Sequence, residues 1–269
     1  MSQLRNPVLT PVDRVGVEMW DPQQYLVFAD QRARPFHDLV ARVRAEQVGF
    51  VADLGCGPGE LTAGLAGRWP GARVVGVDSS AAMIQRAREH SEAEFIQADL
   101  REWAPDRPVD VLLSNATLQW VPGHMELLPQ LASFVAPGGW FAFQLPGNFG
   151  EPAHVQLREL AATPPWNELL DVSWPMAHDP VDYLSTMLDL GFTTEVWETT
   201  YLHMLEGPDS VLEWLRGSAL GQVVGQLDEL RAREFAEQYR ARLRGVYPVG
   251  PHGTVLRYRR IFVVAHRPG

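Results

Sequence analysis

The stretch VADLGCGPGELTAGLAGRWPGARVVGVDSS, residues 51–80, decides the fold of this chain. A short apolar run ends in a glycine-rich turn, a helical segment follows as far as Trp69, and a second apolar run ends at Asp78. Strand, glycine turn, helix, strand and acid in this order predict a cradle for a nucleotide-type cofactor, because glycine permits sharp turns and a helix N-terminus presents unpaired amides. Asp78, 23 residues after Gly55, is placed to accept hydrogen bonds from two ribose hydroxyls.

The glycine spacing separates two kinds of cofactor. A dinucleotide fingerprint is GxGxxG, whereas this turn has the pattern DxGxGxG, with Asp53 on the strand before it. Asp53 would repel a pyrophosphate, but it suits a ligand that carries an ammonium group and a sulfonium. The segment therefore resembles the first motif of the class I S-adenosylmethionine-dependent methyltransferases. This resemblance implies S-adenosylmethionine as cofactor, released as S-adenosylhomocysteine; the alternative is a glycine-rich turn between buried strands of another α/β protein.

Three further features occur in the order found in that family. They are Asp78 after the second strand, Asp99 and Leu100 after the third, and SNATLQW, residues 114–120, after the fourth. The resemblance implies that the second acid lies at the adenine and that the end of the fourth strand lies beside the methionine moiety. The predicted cofactor-binding residues are Tyr25, Arg34, Asp53, Gly55, Cys56, Gly57, Gly59, Asp78, Ser79, Asp99, Leu100, Ser114 and Asn115.

Length and composition limit the organisation and the partners. With 269 residues, 46% of them hydrophobic, the chain can bury a large core and is long for a bare methyltransferase domain. Its net charge of −10 opposes binding of nucleic acid, which needs a broad basic surface, so a small-molecule substrate is favoured. No stretch approaches the roughly 20 apolar residues of a membrane helix, so we expect no membrane association. We expect a monomer or a weak homo-oligomer.

Cysteine and histidine usage adds two expectations. The single cysteine, Cys56, excludes a disulfide framework, and no segment of signal-peptide type is visible at the N-terminus, so a cytoplasmic location is favoured. The eight histidines show no ligand spacing, so no metal site is expected.

Apolar periodicity predicts the elements. From Pro22 to Ala45 the apolar residues recur at helical intervals, and Pro35 interrupts them, which predicts two short helices. Strands and helices then alternate, and the PGG at residues 137–139 is expected to end the helix before the fifth strand. Such alternation predicts an α/β fold: a Rossmann-like, seven-stranded class I methyltransferase sheet, mostly parallel with an antiparallel last strand, with helices on both faces and a helical cap.

The second half of the chain is expected to complete this sheet. About forty residues separate the predicted sixth and seventh strands, where a bare methyltransferase has a short hairpin, so a two-helix cap is expected there. We therefore divide the chain into a disordered arm (1–18), N-terminal helices that contribute to the cap (19–45), an S-adenosylmethionine-binding core (46–146), and a completion of the sheet (147–269) with its cap insertion at about 207–248.

The chemistry of methyl transfer narrows the acceptor. A sulfonium is a good leaving group, so the enzyme mainly holds the acceptor in line and dry. An amine or hydroxyl usually needs a base, whereas a carboxylate is ionised at neutral pH and needs only positioning. Arginines that could clamp a carboxylate occur in DQRARPF (30–36) and LRYRRIF (256–262), although surface positions are the alternative for each.

Aromatic and polar residues alternate in VWETTYLHML (196–205), as in a pocket wall, with ordinary core packing as the alternative. Positioning needs no catalytic group, so no catalytic residue is assigned. The predicted substrate-binding residues are Arg32, Trp120, Tyr201, His203, Arg259 and Arg260.

A more particular resemblance covers nearly the whole chain. The segments at residues 19–43, 51–80, 114–124, 144–154, 196–205 and 259–265 are similar to the trans-aconitate 2-methyltransferase family. The resemblance implies esterification of one carboxylate of a tricarboxylate, trans-aconitate. The alternatives are another small carboxylic acid, or a hydroxyl or amine acceptor with His203 or His124 as base. A non-catalytic S-adenosylmethionine-binding protein is a more remote alternative.

Overall fold

Seven strands form one sheet in the computed structural model, which describes residues 29–90 and 93–269. The strands are β1 Phe50–Leu54, β2 Arg73–Asp78, β3 Glu94–Gln97, β4 Val109–Asn115, β5 Val135–Pro146, β6 Thr193–Leu205 and β7 Thr254–His266. Their order in the sheet is β3-β2-β1-β4-β5-β7-β6. β1 to β5 run parallel, whereas β7 is antiparallel to both β5 and β6. The predicted fold class, a mostly parallel sheet with an antiparallel last strand, is confirmed.

Helices connect the strands in the described part of the chain. They are α1 Ala29–Val40, α2 Glu60–Arg68, α3 Ala81–His90, a 3-10 helix at Leu118–Trp120, α4 His124–Ser133, α5 Pro152–Ala161, α6 Trp166–Leu169, α7 Pro180–Asp189, α8 Ser210–Arg216, α9 Ala219–Val224 and α10 Glu229–Val246. The predicted arm and Tyr25 lie outside the described residues, as does the side chain of Arg32.

Side chains of the central strands alternate between two cores. Val111 and Leu113 of β4 pack with Phe36 and Leu39 of α1 on one face of the sheet. Leu112, between them, packs on the other face, where α4 and α7 lie. Because successive strand residues point to opposite faces, a strand buried on both sides is a continuous apolar run. The helices therefore cover both faces, as predicted.

A third core lies outside the sheet. The helices α8, α9 and α10, between β6 and β7, pack with α5 and with the ends of both strands at Leu205 and Leu256. Tyr239 of α10 donates its hydroxyl hydrogen to the carbonyl oxygen of Ala153 in α5, at 2.9 Å. These helices are thus packed around their own apolar cluster beside the carboxyl ends of the strands.

The predicted position of the PGG is wrong. α4 ends at Ser133, and residues 137–139 lie inside β5, where Val109 pairs with Val135 but Val111 pairs with Trp140. The additional residues form a bulge, in which Gly138 adopts a φ of +77°. A bulge and a helix C-terminus both favour glycine at positive φ, so the local sequence does not distinguish them.

Two helix predictions also need correction. Pro35 lies inside α1 and does not separate two helices within the described residues. Phe36, Leu39 and Val40 are buried, and about 1.5–3 kcal/mol for each such side chain outweighs the roughly 3 kcal/mol that proline costs in a helix. Between β6 and β7 there are three helices where two were predicted, because Gly217 ends α8 before α9 begins.

Candidate functional site

The glycine turn after β1 is closed against the end of β4. Gly55 has a φ of +74°, and a Cβ atom there would lie 2.0 Å from Oγ1 of Thr117. The N–H groups of Gly55 and Cys56 both donate to the carbonyl oxygen of Val77, at 2.7 and 3.1 Å. Only glycine fits this position, because both the backbone angle and the contact with Thr117 exclude a side chain.

The next glycine is open on one side. Gly57 has a φ of +54°, and no described atom lies within 4 Å of the position that a Cβ would occupy. Its N–H donates to Oδ2 of Asp78 at 2.9 Å, and Ser80 donates its N–H to Oδ1 at 2.8 Å. A carboxylate accepts about four hydrogen bonds, so each oxygen of Asp78 retains a lone pair for a hydroxyl donor. The turn and the acid thus fit a ligand with a ribose.

Gly59 has a packing role. A Cβ atom there would approach Ala87 and the ring of Phe95 to 2.7 and 2.8 Å, so glycine allows α3 and β3 to pack closely against the turn. Cys56 is buried beside Phe95, and burial raises the pKa of its thiol, with Asp53 and Asp78 adding to the shift. Its thiol is therefore protonated at neutral pH.

Asp53 is a buried acid with one oxygen unused. It is 2% exposed, and Thr62 donates its hydroxyl hydrogen to Oδ2 at 2.5 Å. No residue of the described part of the chain makes a hydrogen bond with Oδ1. Burial raises the pKa of Asp53 to about 6, the Thr62 hydroxyl opposes this shift, and the charge of Asp78 adds to it. A buried acceptor beside the glycine turn fits a ligand that carries an ammonium group.

The other predicted cofactor residues differ in their burial and in their partners. Asp99 pairs with the guanidinium of Arg101 at 2.9 and 2.5 Å, which lowers the pKa of Asp99 to about 2, and Leu100 beside it is buried. Ser114 is fully buried and donates to the carbonyl oxygen of Leu54, at 3.1 Å, so its hydroxyl joins β4 to β1. Ser79 is exposed after β2.

A row of polar side chains runs from the carboxyl ends of β4 and β5 to the middle of the antiparallel strand β7. Gln144 donates through Nε2 to Oδ1 of Asn115, its neighbour across the sheet. Oε1 of Gln144 accepts from Nη1 of Arg260 at 3.2 Å. Arg260 is only 6% exposed, and its guanidinium carbon lies 4.5 Å from the ring centre of Tyr258. The row therefore joins the predicted cofactor residue Asn115 to the predicted substrate residue Arg260.

A second arginine approaches from α1. The guanidinium carbon of Arg34 lies 5.0 Å from the ring centre of Tyr201 in β6. The hydroxyl of Tyr201 donates to Oδ2 of Asp38 at 2.6 Å, and burial and this carboxylate raise the pKa of Tyr201. Tyr201 and Tyr258 are cross-strand partners, so Arg34 and Arg260 lie over neighbouring rings. The structure thus places Arg34, predicted to bind the cofactor, among the predicted substrate residues.

His203 lies in the same cluster. Its ring stacks on Trp214 of α8, with 4.7 Å between the ring centres, and lies 6.3 Å from that of Tyr201. Burial lowers the pKa of His203, and the charges of Arg260 and Arg34 lower it further. The imidazole is therefore held neutral in a positive field.

The structure does not bring Arg259 together with this cluster. Consecutive strand residues point to opposite faces, so Arg259 points away from Arg260. On that face it pairs with Glu198 and donates through Nη1 to the carbonyl oxygen of Gly147, at 2.9 Å. Trp120 lies in the 3-10 helix after β4 and is 38% exposed.

His124 does not fit the alternative role of base. It begins α4, it is buried, and its Nε2 lies 2.8 Å from the hydroxyl oxygen of Tyr183, on the face of the sheet opposite Val111. Burial lowers its pKa, and His178 lowers it further.

Sequence reasoning missed several polar and aromatic residues near the site. Gln144 carried a usable signal, because it is a lone polar residue in the apolar run WFAFQLP. Tyr258 and Trp214 carried none, since aromatic residues usually indicate core packing.

Within residues 29–90 and 93–269, no cluster of three His, Cys, Asp or Glu side chains could hold a metal. No helix in these ranges has the length and apolar character that a membrane span requires.

Fold and site together define a class I methyltransferase. Residues 51–139 match the family model described as a methyltransferase domain. A putative methyltransferase from Bacillus halodurans has the same fold, with a TM-score of 0.59 at 13% identity over 88% of this chain and 100% of that one. Magnesium protoporphyrin IX methyltransferase from Synechocystis, with bound S-adenosylhomocysteine, gives a TM-score of 0.50 at 17% identity over 91% and 86% of the chains.

Much more similar sequences narrow the class. The trans-aconitate 2-methyltransferase of Streptomyces avermitilis is 46% identical over 94% of this chain and 98% of its own. That of Streptomyces coelicolor is 48% identical, over 93% and 87%, and that of Mycobacterium tuberculosis is 43% identical, over 93% and 98%. The chain belongs to the trans-aconitate 2-methyltransferase family. Its cofactor is S-adenosylmethionine, as predicted, and the open side of Gly57, the free lone pairs of Asp78 and the unused oxygen of Asp53 fit that ligand.

Proposed function

We propose that the protein esterifies one carboxylate of trans-aconitate, forming the methyl ester and S-adenosylhomocysteine. When bound, S-adenosylmethionine supplies a methyl group attached to a cationic sulfonium. A carboxylate oxygen forms the new bond to the methyl carbon while the bond from that carbon to sulfur breaks, so no proton is transferred. The names of the relatives support this substrate, and the arrangement of the arginines supports its class.

The cofactor is proposed to lie over the glycine turn. Gly57 leaves room for it, Asp78 accepts hydrogen bonds from the ribose hydroxyls, and Asp53 faces the amino group. Residues near Asp99 and Leu100 border the adenine, and the end of β4 at Asn115 borders the methionine moiety. An ammonium group beside Asp53 would favour the ionised carboxylate, although burial opposes ionisation.

The observation that carries the proposal is the buried guanidinium of Arg260. It is held by Gln144 at 3.2 Å and lies against Tyr258, so its direction is fixed before any ligand binds. Arg34 adds a second positive charge from α1, across the ring of Tyr201. On a chain with a net charge of −10, such a local cationic site is what allows a multiply charged anion to bind. We propose that these two arginines hold carboxylates of the acid.

The three helices α8 to α10 are proposed to act as the cap that excludes water from the acceptor. Trp214 of α8 reaches the site, where its ring contacts both His203 and Tyr258. This contact supports a position of the insertion over the carboxyl ends of the parallel strands. We also propose that the protein works in the cytoplasm, since its one cysteine is free and buried. We propose in addition that it is a monomer or a weak homo-oligomer.

A second candidate function is transfer to a hydroxyl or amine with His203 as base. The neutral state of His203 favours it, because a base must begin unprotonated. The rate as a function of pH separates the two candidates. A carboxylate acceptor predicts a pH profile set by the ionisation of the acid itself, so His203→Gln keeps its shape. A histidine base predicts a rise in rate through the lowered pKa of His203, and this variant loses that rise.

The decisive experiment uses S-adenosylmethionine labelled in the methyl group. The protein is incubated with trans-aconitate, other tricarboxylates, simple acids, and small hydroxyl and amine compounds, and the products are located by mass spectrometry. We expect a labelled, base-labile ester of trans-aconitate. Transfer to an amine or hydroxyl, with no ester formed from any tricarboxylate, would remove the proposal.

A further inference from the structure

Asn148 lies directly beyond the end of β5, beside the arginine site. Pro146 is the cross-strand partner of Arg260, and Gly147 continues the pairing by donating its N–H to the carbonyl oxygen of Arg259 at 2.9 Å. Asn148 therefore lies about 7 Å farther along the strand than the partner of Arg260, at roughly 3.3 Å per residue. At this backbone spacing the side chains of Arg260 and Asn148 are close enough to contact the two ends of one short tricarboxylic acid.

The amide of Asn148 is buried and incompletely bonded. The residue is 3% exposed, and its Nδ2 lies 3.3 Å from Nε2 of His154. No group among the described residues makes a hydrogen bond with Oδ1 of Asn148. Turning the amide by 180° would let His154 donate to Oδ1, but Nδ2 would then need a partner. In either orientation one end of this amide requires a group from outside the described chain.

The surroundings of His154 indicate the charge of that group. His154 is buried, and burial together with the positive charge of Arg158 lowers its pKa to about 4. Arg158 is held there, because its Nη1 donates to the carbonyl oxygen of Phe149 at 2.8 Å. His154, Arg158 and Trp174 line a small cavity between the end of β5 and α9. A positive field around a neutral imidazole favours an anion, which the amide would meet through its N–H groups.

We propose that Asn148 binds a second carboxylate of the acceptor acid through Nδ2, and that His154 is the positioning residue that donates from Nε2 to Oδ1 of Asn148. The inference rests on the proposed function, because it takes the acceptor to be a polycarboxylate. Arg260 and Asn148 are then two fixed anchors, one charged and one neutral. Together they select an acid with two carboxylates, one for each anchor, over an acid with a single carboxylate.

The test replaces the amide by an isosteric carboxylate. Asn148→Asp places a negative charge against the substrate, so we expect KM for trans-aconitate to rise at least about 10-fold, with kcat and the Kd of S-adenosylhomocysteine within about twofold. The matched control is Asn167→Asp, the same change at an exposed position of α6, where all three constants should be unaltered. KM for a monocarboxylic acid should rise much less in Asn148→Asp than KM for the tricarboxylate.

The role of His154 needs a readout that a purely structural role would not give. His154→Leu removes the donor to Asn148 and should raise KM without changing the affinity for S-adenosylhomocysteine, whereas His154→Gln retains a side-chain N–H and should recover most of the loss. Circular dichroism melts identify variants that do not fold, in which case Asn148→Ser serves as the second variant. Its expected rise in KM is smaller, about 3- to 10-fold, because it removes one hydrogen bond to the carboxylate without adding a charge.

The esterification activity and the role of Asn148 are contradicted by different results. If the natural chain esterifies no tricarboxylate, the proposed function is wrong. If the natural chain does so, and Asn148→Asp keeps KM within about twofold of it, only the inference about Asn148 is overturned.

Discussion

Replacing Gly57 by alanine tests whether the glycine turn holds the cofactor. The φ of Gly57 is +54°, so alanine there costs about 1–2 kcal/mol of backbone strain. No described atom lies within 4 Å of the new methyl group, so no clash is added. For a chain of this size such a loss lowers Tm by roughly 2–8 °C, which leaves the protein folded. The methyl group would project into the proposed cofactor site, and we expect the Kd of S-adenosylhomocysteine to rise on the order of 100-fold, or about 2.7 kcal/mol.

The control is Gly71→Ala, in the turn before β2. Gly71 has a φ of +84° and also has no described atom within 4 Å of a Cβ, so the backbone strain is similar. This turn precedes β2, however, whereas Asp78 lies at the other end of that strand. Calorimetric titration with S-adenosylhomocysteine and thermal melts are measured on both variants. Gly71→Ala should lose stability only. If both variants bind with the same affinity, the open side of Gly57 does not face the cofactor and the placement is refuted.

Three further predictions concern charged residues. Asp78→Ala should weaken cofactor binding by about 1–3 kcal/mol in calorimetry, whereas Asp110→Ala, which also loses a carboxylate that accepts two backbone N–H groups, should not; equal affinities would contradict the ribose contact. Arg260→Ala should raise KM for the acid on the order of 100-fold with cofactor affinity unchanged, whereas Arg259→Ala should leave KM unchanged. An equal rise of KM in both variants would restore the predicted role of Arg259 in substrate binding. The pKa of Asp53 is about 6 when folded, above its ordinary 3.8, so its stabilising contribution is complete below about pH 4 and is lost as pH rises to 6. Asp53→Asn should therefore have a larger free energy of unfolding than the natural chain at pH 7.5, by up to about 3 kcal/mol, and an equal one at pH 4. A difference in stability that does not depend on pH would exclude the raised pKa of Asp53.

The elements around the glycine turn were predictable because their signals are local. β1 and β2 lie where the two apolar runs on either side of the glycine turn predict them, since each run is short and is limited by polar residues or glycine. The bulge at Gly138 was not predictable, because glycine at positive φ serves helix ends and bulges alike. The helix through Pro35 depends on burial against the sheet, which outweighs the local preference.

The cofactor part of the candidate site was also predictable from local sequence, whereas the acceptor part was not. The proposed cofactor cradle comes from one continuous segment, so the order and spacing of Asp53, the glycines and Asp78 were enough to propose it and to predict the class of cofactor. The proposed acceptor site brings together residues from α1, β4, β5, β6 and β7, which are far apart in the chain. Arg259 and Arg260 are the same residue type at neighbouring positions, so the sequence does not distinguish them. Only the strand register decides that Arg260 faces Gln144 while Arg259 faces Glu198, because neighbouring residues of a strand point to opposite faces.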